Sequence, residues 1–165
     1  MDIIVPKKLR APSDSEIAIG AVAESDIYIV NEEAVAYLEI TDEYIQHEVR
    51  QQIDVIKNIR RKYCSGSKTG IAGKKVLIVD DGIATGMTVL AAVRYLKLHN
   101  AREIIVAAPV ASKEAVYLLE ANDAKVIAGF VPDTFTTIRS YYDNFEQLAD
   151  SEITNIIDMY NMSNM

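Results

Sequence analysis

Asp80 and Asp81 stand side by side, directly after the four apolar residues Val76-Leu77-Ile78-Val79 and directly before Gly82-Ile83-Ala84-Thr85-Gly86-Met87-Thr88. Adjacent carboxylates accept hydrogen bonds from sugar hydroxyls or offer oxygen donors to a hard cation. The small and hydroxylated residues that follow lead into Val89–Leu98, where the spacing of apolar residues predicts a helix. At a helix N-terminus the unpaired N–H groups and the dipole favour an anion. Gly82 and Gly86 let backbone come close to a ligand, and Thr85 and Thr88 add hydroxyl donors. Carboxylates next to such a cradle describe a site for a phosphorylated sugar.

Those residues need a rigid frame, and the surrounding chain predicts one. Val76–Val79 reads as a strand buried on both faces, and in open parallel sheets ligands bind beyond the carboxyl ends of the strands. Downstream, Glu103–Ala108 predicts a strand, Ser112 caps a helix running to about Glu120, and Lys125–Phe130 predicts another strand. That alternation implies an α/β fold with a parallel sheet, right-handed crossovers and flanking helices. Val131–Asp150 is turn-prone and aromatic, with Phe135, Tyr141, Tyr142 and Phe145, and Ser151 opens a last amphipathic helix. Its aromatics suit either a cover packed onto the sheet or the roof of a pocket for a planar ring.

Upstream, Ile3–Val5 reads as the end of a buried strand. Pro6–Glu16 reads as a loop, punctuated by Pro6, Pro12, Ser13 and Ser15 and carrying Lys7, Lys8 and Arg10. Ile17–Ala23 and Ile27–Val30 predict a short β-hairpin, and Glu32–Leu38 a short helix. Thr41 is a predicted N-cap, after which Ile45, Val49, Ile53, Ile56 and Ile59 recur on one helical face. Lys57, Arg60, Arg61 and Lys62 at the far end read as cations that complement the dipole and face solvent. Ser65–Lys75 reads as a loop. Its Gly70-Ile-Ala-Gly73-Lys74-Lys75 lacks the glycine spacing, the hydroxyl residue and the strand-first context of a nucleotide phosphate loop.

Composition narrows the class. A chain of 165 residues, half of them hydrophobic, suits one domain spanning its whole length. It has no run of 18 apolar residues and no basic-then-apolar leader, so neither a membrane span nor a signal peptide is predicted. Its net charge of −7 argues against nucleic-acid binding through bulk electrostatics. The single cysteine, Cys64, allows no internal disulfide and fits a reducing cytoplasm. His47 has no carboxylate or cysteine at a ligand spacing and reads as a surface or half-buried residue, and His99, at a helix end, reads as structural.

Val76–Thr88 resembles the motif for phosphoribosyl pyrophosphate (PRPP) in type I phosphoribosyltransferases: four apolar residues, two acids, then small residues with Thr-Gly-x-Thr. The similarity extends through Pro6-Lys7-Lys8-Leu9-x-Ala11-Pro12, Glu16–Val22, Asn31-Glu32-Glu33 and Tyr141-Tyr142-Asp143-x-Phe145. It implies a type I phosphoribosyltransferase-like fold, in which 130–150 forms a C-terminal hood. By the same resemblance Asp80 and Asp81 hold the ribose hydroxyls and support Mg²⁺, and the stretch from Gly82 through Ala84, Thr85, Gly86 and Met87 to Thr88 binds substrate, its Ala84–Thr88 part taking the 5-phosphate. Pro6–Glu16 corresponds to the family's mobile catalytic loop, which brings Lys7, Lys8 and Arg10 to the pyrophosphate. The implied reaction transfers ribose 5-phosphate from PRPP to a nitrogen nucleophile, with a nucleobase the expected acceptor, and releases pyrophosphate. The alternative is a non-catalytic PRPP- or nucleotide-binding regulator of the same fold.

Gly82 stands where many members carry an aliphatic residue. Members also begin with a strand, a short pyrophosphate-binding loop and a helix ahead of the strand read here at Ile3–Val5. The resemblance therefore implies an open position beside Val76–Val79. A second subunit in a homodimer would close it, as would direct pairing of Ile3–Val5 with Val76–Val79, or further chain in a longer natural protein.

Overall fold

Val76 and Ile78 point to the same side of the sheet as their register partners Ile104 and Val106, and Val106 and Ala108 in turn align with Val126 and Ala128. This period-two apolar face builds a parallel sheet of three strands, β4 (Lys75–Val79), β5 (Glu103–Val110) and β6 (Lys125–Phe130), in the order β4-β5-β6. The computed structural model describes residues 2–64 and 70–162 of the chain. Two helices cover the apolar face: α3 (Met87–Leu98), buried nearly all round, and α4 (Lys113–Glu120), which contributes Ala115 and Leu119. The other face is open among the described residues. Leu77, Val79 and Ile127 are 58%, 72% and 52% exposed there.

A separate antiparallel sheet, β1 (Lys7–Arg10), β2 (Ala18–Val22) and β3 (Tyr28–Val30), lies on the far side of α3. Its Ala21 and Ile29, with Ala23 just beyond β2, join the same core as Ile78, Ile104 and Val106, so α3 is shared by both sheets. The short helix α1 (Glu32–Tyr37) and the long α2 (Asp42–Tyr63) follow. Asn31 caps α1 and Thr41 caps α2, each accepting from a backbone N–H in the first turn. Ile45, Val49, Ile53 and Ile56 of α2 close a second core over Leu9, Ala11, Ile19 and Val22. A last helix, α5 (Asp150–Met162), meets α2, where Asp150 accepts from Lys62 and Tyr63.

The N-terminal expectation needs correction. Ile3–Val5 is not a strand and does not pair with Val76–Val79; the first strand is Lys7–Arg10, inside the stretch read as a loop. Pro6 is compatible with this because it precedes the first strand residue, where no ladder N–H is required. Leu9 points inward, wholly buried, while Lys8 and Arg10 are exposed. Helix α2 fixes the strand's end. Tyr44 donates its hydroxyl to the Arg10 carbonyl at 3.0 Å, and Arg10 N–H donates to Glu48 at 3.2 Å.

The solvated reading of the basic cluster fails at Arg60. Its guanidinium donates to Glu24 at 2.8 Å, to Asp2 at 3.3 Å and to the Ile3 carbonyl, which ties the N-terminal segment to the hairpin turn. Glu24 is only 5% exposed. Between this segment and β4 lies a cleft of about 460 Å³, lined by Ile3, Ile4, Arg60, Val76, Ile78 and Tyr95. The position beside β4 is thus open among the described strands. Of the loop read over Ser65–Lys75, residues 65–69 lie outside the described residues, and Lys75 already belongs to β4.

Candidate functional site

The end of β4 is stitched onto β5 beyond the ladder itself. Asp80 N–H donates to the Ala107 carbonyl at 3.1 Å, and Ile83 N–H donates to the Val110 carbonyl at 2.9 Å. Ile83 also forms a parallel bridge with Ala111. The carboxylate pair therefore sits in a turn held at both ends by the neighbouring strand.

Ser112 fixes the rest of the loop. Its N–H donates to the Ile83 carbonyl at 2.9 Å and its hydroxyl donates to the Ala84 carbonyl at 2.6 Å. The same oxygen accepts from Ala115 N–H at 2.9 Å as the N-cap of α4. One side chain thus serves a helix cap and the loop at once. The sequence made the cap legible, but the bond to Ala84 depends on the strand crossover and has no local signal.

Gly86 follows in the left-handed region, with φ of +75°, and opens α3. A Cβ there would be strained by that conformation and would sit 3.2 Å from the Ala115 Cβ. Gly86 supplies no side-chain cap, and Thr85 Oγ1 accepts from Met87 N–H only at 3.5 Å. The first turn of α3 therefore retains donors for an outside acceptor. Around it Thr85 is exposed, and Ala84, Met87 and Thr88 are half-buried.

The two carboxylates differ in environment. Asp81 is exposed, whereas Asp80 is half-buried and accepts from Asp81 N–H at 2.9 Å. Burial raises the Asp80 pKa above the ordinary carboxylate value; the Asp81 backbone bond opposes this and the neighbouring Asp81 charge adds to it. A cation or a set of hydroxyl donors at this spot would offset that cost. The donors are hard oxygens on an open turn, which fits Mg²⁺ held partly through its own waters. No group of three or more His, Cys, Asp or Glu side chains gathers to hold a metal among the described residues.

The hood reaches this turn. A 3-10 helix at Ile138–Tyr141 sets the Ile138 side chain over Gly82, and Tyr142 donates its hydroxyl to the Asp81 carbonyl at 2.5 Å. Phe130, Phe135 and Tyr141 form a ring cluster beside it, with Tyr141 6.0 Å from Phe130 and 5.5 Å from Phe135 between centroids. Neither Ile138 nor the Tyr142–Asp81 contact was legible in the sequence. The glycine at 82 was the only trace.

Lys7, Lys8 and Arg10 are held in β1, and among the described residues none of them forms an ion pair with Asp80 or Asp81. His99 ends α3, where its ring lies 4.2 Å from that of Tyr95 and its Nδ1 is 2.8 Å from the Tyr95 carbonyl. His47 is exposed and Cys64 is half-buried with a free thiol.

Residues 28–146 match the family described as the phosphoribosyl transferase domain. "Putative phosphoribosyl transferase Rv0571c" of Mycobacterium tuberculosis H37Rv is 27% identical over 159 residues, which is 96% of this chain. MT0597, from the CDC 1551 strain and described in the same words, matches equally. The chain spans only 36% of the length of these curated relatives. The crystal structure of TT1426 from Thermus thermophilus is similar at a TM-score of 0.71 with 34% identity, over 94% of this chain and 74% of that one.

Proposed function

The chain belongs to the phosphoribosyl transferase domain family, and on that premise we propose that it binds PRPP and transfers its ribose 5-phosphate to a nitrogen nucleophile with release of pyrophosphate. The observation that carries this reading is the fixed turn in which Asp80 and Asp81 precede, by a few residues, the αL Gly86 and the open N-terminus of α3. Asp80 and Asp81 hold the ribose hydroxyls. Ala84, Thr85, Gly86, Met87 and Thr88 receive the 5-phosphate on backbone N–H groups and hydroxyls, and Gly82 keeps the turn thin.

The transition state of such a displacement resembles an oxocarbenium ion, so the protein's task is placement and charge stabilisation. Asp80 and Asp81 would hold Mg²⁺, which when bound would supply charge neutralisation for the departing pyrophosphate. Lys7, Lys8 and Arg10 complement the leaving group from the fixed edge of β1, and not from a free loop. The acceptor in this proposal is a nucleobase or another planar nitrogen nucleophile under the hood, the setting is cytoplasmic and the assembly is a homodimer. No helix among the described residues is long and apolar enough to cross a membrane.

Calorimetric titration with PRPP, with and without Mg²⁺, tests the site. Asp81→Asn is expected to weaken magnesium-dependent binding by about tenfold or more, the scale of a lost hydrogen bond to a charged group, with the fold retained. Equal affinity in the variant would refute the site. The regulatory reading is favoured by one observation, the lack of contact between the β1 cations and the carboxylates. Tight PRPP binding without pyrophosphate release across a panel of bases would select it.

A further inference from the structure

The hood is fastened to the carboxylate turn at two points, and the residue at one of them is a glycine for a steric reason. A Cβ at Gly82 would lie 2.6 Å from Ile138 Cγ2 and 3.0 Å from Ile138 Cγ1 on one side, and 3.2 Å from Val110 Cγ1 on the other. Gly82 is buried in this sandwich, with ordinary φ, so its need is space and not backbone conformation. One residue earlier, Tyr142 donates to the Asp81 carbonyl at 2.5 Å. Tyr142 itself stacks at a tilt on Phe145, with centroids 5.2 Å apart, so its ring has support from its own segment.

We infer that Ile138 and Tyr142 are positioning residues for the sugar-binding carboxylates: the hood clamps the Asp81–Gly82 peptide and so sets the direction of the Asp80–Asp81 pair. The Asp81 carbonyl carbon is bonded to the same Cα as the Asp81 side chain, so a shift of the backbone at Asp81 carries the carboxylate with it. Strand β5 already fixes the turn on either side, through Asp80 N–H and Ile83 N–H. The Asp81–Gly82 segment between them needs a hold of its own against displacement. Tyr142 supplies it by a hydrogen bond to the Asp81 carbonyl, and Ile138 by packing against Gly82. Affinity for the sugar phosphate is thereby coupled to the seating of a segment distant in sequence, and whatever lifts the hood loosens the ribose end of the site.

The inference rests on the PRPP reading, and the experiment separates the two. Magnesium-dependent PRPP titration is run on the parent chain, Gly82→Ala, Ile138→Ala, the Gly82→Ala/Ile138→Ala double variant and Tyr142→Phe, with melting curves for each. Gly82→Ala is expected to weaken binding about tenfold, and the double variant to recover most of it, because the smaller side chain at 138 vacates the space the new methyl needs. Tyr142→Phe removes one hydroxyl and is expected to weaken binding about fivefold with a melting temperature close to the parent's. Loss of affinity in Tyr142→Phe at an unchanged melting temperature is a readout that a purely structural contact would not give. If the parent binds while Tyr142→Phe matches it and the double variant is no better than Gly82→Ala, the clamp is refuted and the site stands. If the parent does not bind PRPP at all, the functional reading fails and this inference fails with it.

Discussion

Asp80 is the residue whose chemistry is most shaped by its surroundings. Its pKa is raised by burial, so ionisation at neutral pH works against the folded state. The sign follows from linkage: the stability this group permits is full below the ordinary carboxylate value and is lost as pH rises through the raised one. Asp80→Asn keeps an oxygen for Asp81 N–H and carries no charge. In the absence of ligand it is expected to melt higher than the parent near neutrality, with the difference shrinking to nothing as pH falls below the carboxylate range. The exposed acids whose pKa values are lowered by lysine partners, Glu103, Asp123, Asp133 and Asp150, are common to both chains and cancel in that comparison. Melting curves over a pH series measure it, and a constant offset at every pH would contradict the burial argument. The pair itself was legible because Val76–Val79 is a local signal; which carboxylate is buried depends on the crossover geometry and was not.

At the level of elements, Ser112 joins two jobs that sequence reading keeps apart. Ser112→Ala removes the cap of α4 and the hydroxyl donor to Ala84 together. A lost cap alone costs about 1 kcal/mol, and the stranded Ala84 carbonyl adds about 1 kcal/mol more, so denaturant unfolding is expected to report about 2 kcal/mol. A loss no larger than the cap alone would mean the loop does not depend on Ser112. Elements whose signals are local were readable: the caps at Thr41 and Ser112, the isoleucine face of α2, and the alternation from β4 to β6. Strand β1 was not. Its ladder partner Ala18–Val22 is distant enough that Pro6, Pro12 and the serines outweighed the inward placement of Leu9. Arg60 was misread for a similar reason, since its partners Glu24 and Asp2 lie far away in sequence and only the fold brings them together.

On the scale of the whole molecule, a parallel sheet is normally covered on both faces, and here Leu77, Val79 and Ile127 stand open on one. An apolar face of this kind favours association. The described chain is expected to show concentration-dependent self-association in sedimentation, and Leu77→Lys to shift it toward monomer; a chain that stays monomeric at high concentration would contradict this. The two sheets, meanwhile, meet through α3: seven of its twelve residues are buried, and its cluster takes in Ala21 and Ile29 from one sheet and Ile104 and Val106 from the other. The same helix offers its first turn to the phosphate. By mass action, an anion held at about one hundred times its dissociation constant contributes about 2.7 kcal/mol to the folded state. Entering through a helix that both sheets share, that contribution reaches the antiparallel and the parallel halves alike, so ligand occupancy acts as a term in the cooperativity of the entire fold.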